Sequence, residues 1–168
     1  PEAVLWGKEL VEAIGGVALA IEPGQKALYH AASTVASNYL VALVEASLEL
    51  YGRAGVDQDA ALAAVRALMQ GTLENVSRLG LPGSLTGPIE RGDVETVERH
   101  LAALEGIQEL AARERLAGLY RTLGLQALQV ARQKRPELAG RHEEIEALLR
   151  RPWFEPGGSS RVGLRAVD

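Results

Sequence analysis

The sequence predicts an all-α fold: a multi-helix bundle with two long helices, preceded by a short helix-strand unit. Three observations predict it. Apolar residues make up 47% of the 168, yet only 4% are aromatic, so the apolar mass is Ala, Leu and Val, a mixture suited to helices packed closely through small residues. Apolar positions recur at three- and four-residue spacing along most of the chain. Only one short run, VALAI over residues 17–21, reads as a strand.

Val4, Leu5, Leu10, Val11 and Ile14 suit a first short helix that Gly15-Gly16 ends. The strand follows and is closed by Pro23-Gly24. A lone strand cannot satisfy its own backbone donors and acceptors, and nothing later in the chain offers it a partner. Residues 1–24 therefore read as the last helix and strand of a sheet domain whose remainder is missing, or as a strand that pairs with a second copy. The opening at Pro1, already inside an amphipathic pattern, reads as a fragment of a longer protein.

Residues 25–53 predict one continuous helix of about 43 Å, with Leu28, Ala32, Val35, Tyr39, Leu43, Ala46 and Leu50 on one stripe. Gly55 ends it, and Asp57 caps the next helix, which runs through Leu62, Val65, Met69, Leu73 and Val76 to a terminal Gly80. Residues 81–93, LPGSLTGPIERGD, form a loop by their Pro and Gly content. Asp93 caps a helix carrying Val94, Val97, Leu101 and Leu104. After Gly106 a second long helix is expected to residue 132, and Pro136 opens a final short one to residue 149. Four helices after Pro23 would form the bundle, with the fifth as a brace, over residues 25–150; residues 151–168 would be an irregular tail.

Composition excludes several classes of function. A formal charge of −4 and no basic cluster longer than Arg150-Arg151 leave no nucleic-acid footprint. No uninterrupted apolar run reaches the roughly 18–20 residues that span a bilayer, so no membrane segment is expected. The absence of cysteine removes disulfides, thiolate catalysis and zinc-thiolate sites and suits a cytoplasmic protein. Abundant Arg with scarce Cys, Met and Asn points to a thermophilic source. No G-x-G-x-x-G or Walker A loop, H-E-x-x-H, Glu-x-x-His pair or Gly-x-Ser-x-Gly elbow is present.

Two groups of residues could carry chemistry. His30, Thr34 and Asn38 follow at i, i+4 and i+8 on the long helix, with Ser33 and Ser37 beside them. A histidine flanked by hydroxyls and an amide can donate, accept or shuttle protons near neutral pH; the plainer reading is a polar face whose hydroxyls bond back to the helix. In the loop, Thr86, Arg91 and Asp93 stand among Gly83, Gly87 and Gly92, where glycines let a ligand approach the backbone and Arg91 could clamp a carboxylate or phosphate. For Asp93, N-capping alone is a sufficient explanation, and Thr86 can be turn chemistry. His100 reads as a structural or solvated residue that could face the loop, and His142, in RHEEIE, as part of an exposed charged face. A metal site from His30, His100 and Asp93 is a further rival.

The segments YHAASTVASNYLVAL (29–43) and LTGPIERGDVETVERHL (85–101) resemble the helical C-terminal domain of Rossmann-like, NADP-oxidoreductase-like proteins of unknown function. That family is similar to pyrroline-5-carboxylate reductase, ketopantoate reductase and the β-hydroxyacid dehydrogenases, and its helical domain is similar to the 6-phosphogluconate dehydrogenase C-terminal-domain-like folds. The resemblance covers about residues 1–150. It implies that residues 17–21 are the final strand of a Rossmann sheet, that NADP or NAD is held by that missing domain with no cofactor on this fragment, and that the helical domain dimerises and faces a small-molecule substrate. It also implies a general acid at His30, substrate orientation by Asn38, substrate contacts from Thr34 and Thr86, and an anion clamp at Arg91 beside Asp93. The dehydrogenase relatives carry a Lys four residues before the Asn; here that position is Thr34, which removes any lysine-based proton transfer. The competing expectation is a non-catalytic helical module that dimerises.

Overall fold

A computed structural model describes residues 2–152. The fold is all-α, and among the described residues there is no strand. The helices are α1 (Glu2–Ala13), α2 (Lys26–Ala36), α3 (Asn38–Arg53), α4 (Gln58–Ser84), α5 (Val94–Glu105), α6 (Leu110–Lys134) and α7 (Ala139–Arg150), with a 3-10 turn at Pro136–Leu138 before α7. The chain divides within α4 into two compact units, one ending at Val65 and one beginning at Arg66. The tail expected over 151–168 falls, beyond Pro152, outside the described residues.

In the first unit, α1 ends as its glycines require. Gly15 takes φ +76, and its N–H and that of Gly16 donate to the carbonyls of Glu12 (2.9 Å) and Val11 (2.8 Å), closing a Schellman turn. Gly55 (φ +82) closes α3 in the same way, with Val56 N–H on Tyr51 O at 3.0 Å. Asp57 caps α4 through Oδ1, which accepts from the N–H of Asp59 (3.0 Å) and Ala60 (3.2 Å).

Two expectations fail in this unit. Residues 17–21 do not form a strand: no backbone hydrogen bond joins them to any described residue, and a strand exists only through a partner. The helix expected over 25–53 is broken at Ser37 (φ −116, ψ −64) into α2 and α3. The break falls in STVASN, a run of β-branched, hydroxyl and amide side chains that weaken a helix from within; Ser33 Oγ already donates to Tyr29 O at 3.1 Å. Burial in this unit is slight. No residue of α1 or α2 is buried, and Ala46, Ala61 and Val65 are its buried apolar side chains.

The second unit holds the core. Val97 and Leu101 of α5, Leu128 of α6, and Ile145, Leu148 and Leu149 of α7 pack together, with Ile89, Val94, Tyr120 and Leu125 against them. Each fully buried Val, Leu or Ile contributes about 1.5–3 kcal/mol. The last helix is thus part of the core and not the brace expected from the sequence. α7 approaches α6 at Gly124, where an added Cβ would stand 3.0 Å from Leu149 Cδ1. Arg121, buried in α6, donates to the terminal carbonyls of α7, Leu148 O (2.7 Å) and Leu149 O (3.1 Å), and pairs with Glu105 at the end of α5. One guanidinium from the middle of α6 thus ties the ends of α5 and α7.

Candidate functional site

The residues from 85 to 93 link α4 to α5 through a single helical turn. Gly80 (φ 70, ψ 175) breaks α4 near the predicted end, and Gly87 (φ +97) redirects the chain. Arg91 N–H then bonds Gly87 O (3.2 Å), Gly92 N–H bonds Ile89 O (3.3 Å), and Asp93 N–H bonds Pro88 O (2.8 Å). Gly92 closes this turn at φ +65, and an added Cβ would meet Arg141 Cβ at 2.9 Å. Glycine is needed there for backbone freedom and for space.

Asp93 does what its position in the sequence predicts. Its Oδ1 accepts from Thr96 N–H at 3.0 Å, capping α5. Hydrogen bonds from Thr96 hold its carboxyl below the ordinary aspartate range, and the nearby charges of Arg91 and Arg99 act the same way.

Three cations from α6, the following residue and α7 fasten the turn. Lys134 Nζ donates to Leu85 O at 2.7 Å and lies 3.3 Å from Glu90 Oε1. Arg135 Nε stands 3.2 Å from the same Glu90 oxygen. Arg141 Nε donates to Gly92 O at 3.1 Å, and its guanidinium pairs with Glu95. The Glu95 carboxyl is held below its usual range by its own backbone N–H and then by Arg141. Glu90 itself is buried.

Against this fixed backbone, Thr86 and Arg91 are exposed. Among the described residues the Arg91 guanidinium makes no hydrogen bond and no ion pair. The turn therefore presents a cation and a hydroxyl to solvent, which is chemistry suited to a carboxylate or phosphate.

The helical stripe is organised differently. His30 is exposed and Thr34 half-buried one turn along α2, so those two share a face. The break at Ser37 makes Asn38 the first residue of α3, so the unbroken line of three expected from the sequence is lost. The His30 ring has no hydrogen-bond partner among the described residues. His30, Thr34 and Asn38 belong to the first unit, and Thr86, Arg91 and Asp93 to the second.

The other histidines depart from expectation. His142 is not on an exposed charged face: it is fully buried, and neither ring nitrogen has a partner. Leu138, His142, Ile145 and Leu149 follow at helical spacing, a signal present in the sequence beneath the charges of RHEEIE. His100 is exposed, with Nδ1 2.9 Å from Tyr120 Oη and its ring edge-on to the tyrosine at 5.8 Å. Burial raises the Tyr120 hydroxyl above its ordinary pKa. Among the described residues no group of three or more acidic or imidazole side chains is arranged to hold a metal ion. Glu90, Lys134, Arg135 and Arg141 were not singled out by sequence reasoning; their partners lie too far along the chain for spacing to reveal.

Fold and turn together define an all-helical protein that offers an exposed arginine on a braced glycine turn. The chain belongs to the family described as a domain of unknown function, DUF2520, whose model matches residues 1–127. No curated protein and no solved structure matches it.

Proposed function

We propose that this chain is the C-terminal dimerisation and substrate-site domain of an NAD(P)-dependent oxidoreductase. Its nicotinamide cofactor would be held on a Rossmann domain outside this sequence. A nicotinamide bound there would supply a hydride for a small anionic substrate. In the first unit His30 would deliver a proton and Thr34 and Asn38 would contact substrate; in the second, Arg91 and Thr86 would take a carboxylate or phosphate while Asp93 keeps the turn capped. Without a dinucleotide-binding loop the chain is silent by itself.

The observation that carries this reading is the unsatisfied surface of the first unit. Residues 17–21 leave their backbone groups unpaired among the described residues, and Val17 (84% exposed), Leu19 (68%) and Ile21 lie open. Trp6 and Leu28 are likewise two-thirds exposed, and Val4, Lys8, Val11, Val17, Leu19 and Tyr29 line a groove of about 330 Å³. Apolar surface on this scale marks a face that other polypeptide covers. A sheet would satisfy the backbone of 17–21, and a second copy would cover the helices.

The test uses the complete encoded protein with its substrate. His30→Ala is expected to lower the rate on the order of 10²-fold with the cofactor affinity unchanged. A loss of less than a few-fold would remove His30 from the mechanism.

A second reading is favoured by the isolation of the His30 ring and the separation of Asn38 onto α3: a non-catalytic helical module that dimerises. It predicts no turnover and a full dimer. The stretch Lys26–Arg53 is also long and apolar enough, by length and composition, to cross a membrane. Its break at Ser37 and its stripe of His30, Ser33, Thr34 and Asn38 weigh against lipid. Sedimentation of a detergent-free dimer at micromolar concentration supports a protein partner, whereas flotation with lipid vesicles would contradict it.

A further inference from the structure

We propose that Glu90 is a positioning residue: its buried carboxylate holds Lys134 and Arg135 in place, fixes the turn, and leaves Arg91 as the exposed cation there whose guanidinium has neither a hydrogen bond nor an ion pair. This rests on Arg91 being an anion clamp, and it adds what sets the clamp's geometry and strength.

Glu90 is the only buried carboxylate among the described residues, although it stands in a surface turn. A carboxylate taken out of water is costly unless it is paired and hydrogen-bonded. Here a single oxygen, Oε1, receives both cations, Lys134 Nζ at 3.3 Å and Arg135 Nε at 3.2 Å. Lys134 then reaches back to the turn's first residue, donating to Leu85 O at 2.7 Å. One ammonium thus ties the start of the turn to the side chain near its end. Arg141 holds the closing carbonyl, Gly92 O, at 3.1 Å.

The neighbouring residue is the opposite in every respect. Arg91 is exposed and unpaired, one position along from an anion that faces inward. Because Glu90 occupies Lys134 and Arg135, an incoming phosphate or carboxylate meets the guanidinium of Arg91 and the Thr86 hydroxyl. Planar, bidentate recognition by arginine depends on where its backbone is held, so loosening the turn weakens the clamp even when no contacting group is removed.

Two effects predict opposite signs, and that makes the proposal testable. Glu90→Leu removes one negative charge beside the site. Diffuse electrostatics alone would then strengthen anion binding. Loss of positioning would weaken it. The experiment titrates the chain with inorganic phosphate and follows the Arg91 side-chain Nε–H and the Gly87 and Gly92 amides by NMR. In Glu90→Leu, phosphate affinity at Arg91 is expected to fall about fivefold or more. Lys134→Met should act in the same direction, and Lys134→Arg, which can reach the same acceptors, should restore most of the affinity. Affinity equal to or above that of the unaltered chain in Glu90→Leu overturns the proposal. Should Glu90→Leu fail to fold, Glu90→Gln decides instead, because it keeps the side chain's size while removing the charge that holds Lys134 and Arg135, so the two effects again predict opposite signs. Arg91→Ala separates the two layers of argument. Phosphate binding that survives Arg91→Ala, or is absent from the unaltered chain, sinks the clamp itself; binding that is lost in Arg91→Ala but intact in both Glu90→Leu and Lys134→Met sinks only the role of Glu90.

Discussion

Replacing His142 with leucine is expected to stabilise the protein, which is unusual for a core position. The ring is fully buried, and neither Nδ1 nor Nε2 has a hydrogen-bond partner. A buried polar group left unsatisfied costs about 1–3 kcal/mol, and the imidazole carries two such atoms. Leucine is close in volume, and position 142 shares a face of α7 with the core residues Ile145 and Leu149, so the repacking cost should stay below about 1.5 kcal/mol. The net expectation is a gain of about 1 kcal/mol, or roughly 4–8 °C in Tm for a unit of this size. Thermal and urea unfolding, followed by the helical circular dichroism signal at neutral pH, measures it directly. His142→Asn supplies the contrast, since it keeps polar atoms but leaves a void, and it should destabilise. A loss of more than about 1 kcal/mol in His142→Leu would refute the reasoning, because it would mean that the ring nitrogens are satisfied in the folded chain.

Other outcomes follow from the braced turn. Gly92→Ala should cost about 2–3 kcal/mol, since it combines a left-handed backbone (φ +65) with a Cβ 2.9 Å from Arg141 Cβ, whereas Gly87→Ala, strained at φ +97 but with open space around it, should cost about 1 kcal/mol; urea titration separates them. Asp93→Ala should lower Tm by a few degrees through loss of the α5 cap, and Asp93→Asn much less, because asparagine caps equally well. The pH dependence follows from the sign of the shifts. Asp93, Glu95 and Glu146 are all held below their ordinary pKa, by Thr96, by Glu95's own backbone N–H and then Arg141, and by Arg132 and then Arg150 respectively. Their contribution is therefore present above the unfolded carboxylate range, about pH 4, and is lost as pH falls through the lower folded values. Asp93→Asn should flatten that acid limb; an unchanged limb would show that the Asp93 carboxylate does not contribute to it.

What was legible in the sequence was what is decided locally. Gly15, Gly55 and Gly80 stop helices, and Asp57 and Asp93 start them, because each acts on backbone groups within a few residues. The break at Ser37 was hidden because the apolar stripe from Leu28 to Leu50 runs straight through it, and periodicity records the face but not its continuity. Residues 17–21 have strand composition, yet a strand is a property of two segments, and the described residues supply one. His142 was misplaced because its immediate neighbours are charged, although its partners three and seven residues along, Ile145 and Leu149, are core. Thr86 and Arg91 could be picked out as candidates from the glycines around them. The brace beneath them could not, since Glu90 meets Lys134 and Arg135 only after α5 and α6 have folded back.

Hydrogen exchange at the amides of Val17, Ala18, Leu19, Ala20 and Ile21, compared between this chain and a protein in which a Rossmann domain accompanies it, bears most directly on the proposal that this domain serves a dinucleotide-binding enzyme. With their backbone groups unpaired, these amides should exchange at nearly the rate of an unstructured peptide in the chain alone and be protected by orders of magnitude in the protein with the Rossmann domain. Equally fast exchange in both would contradict the account, leaving residues 17–21 without a sheet to join and the domain without a cofactor to face.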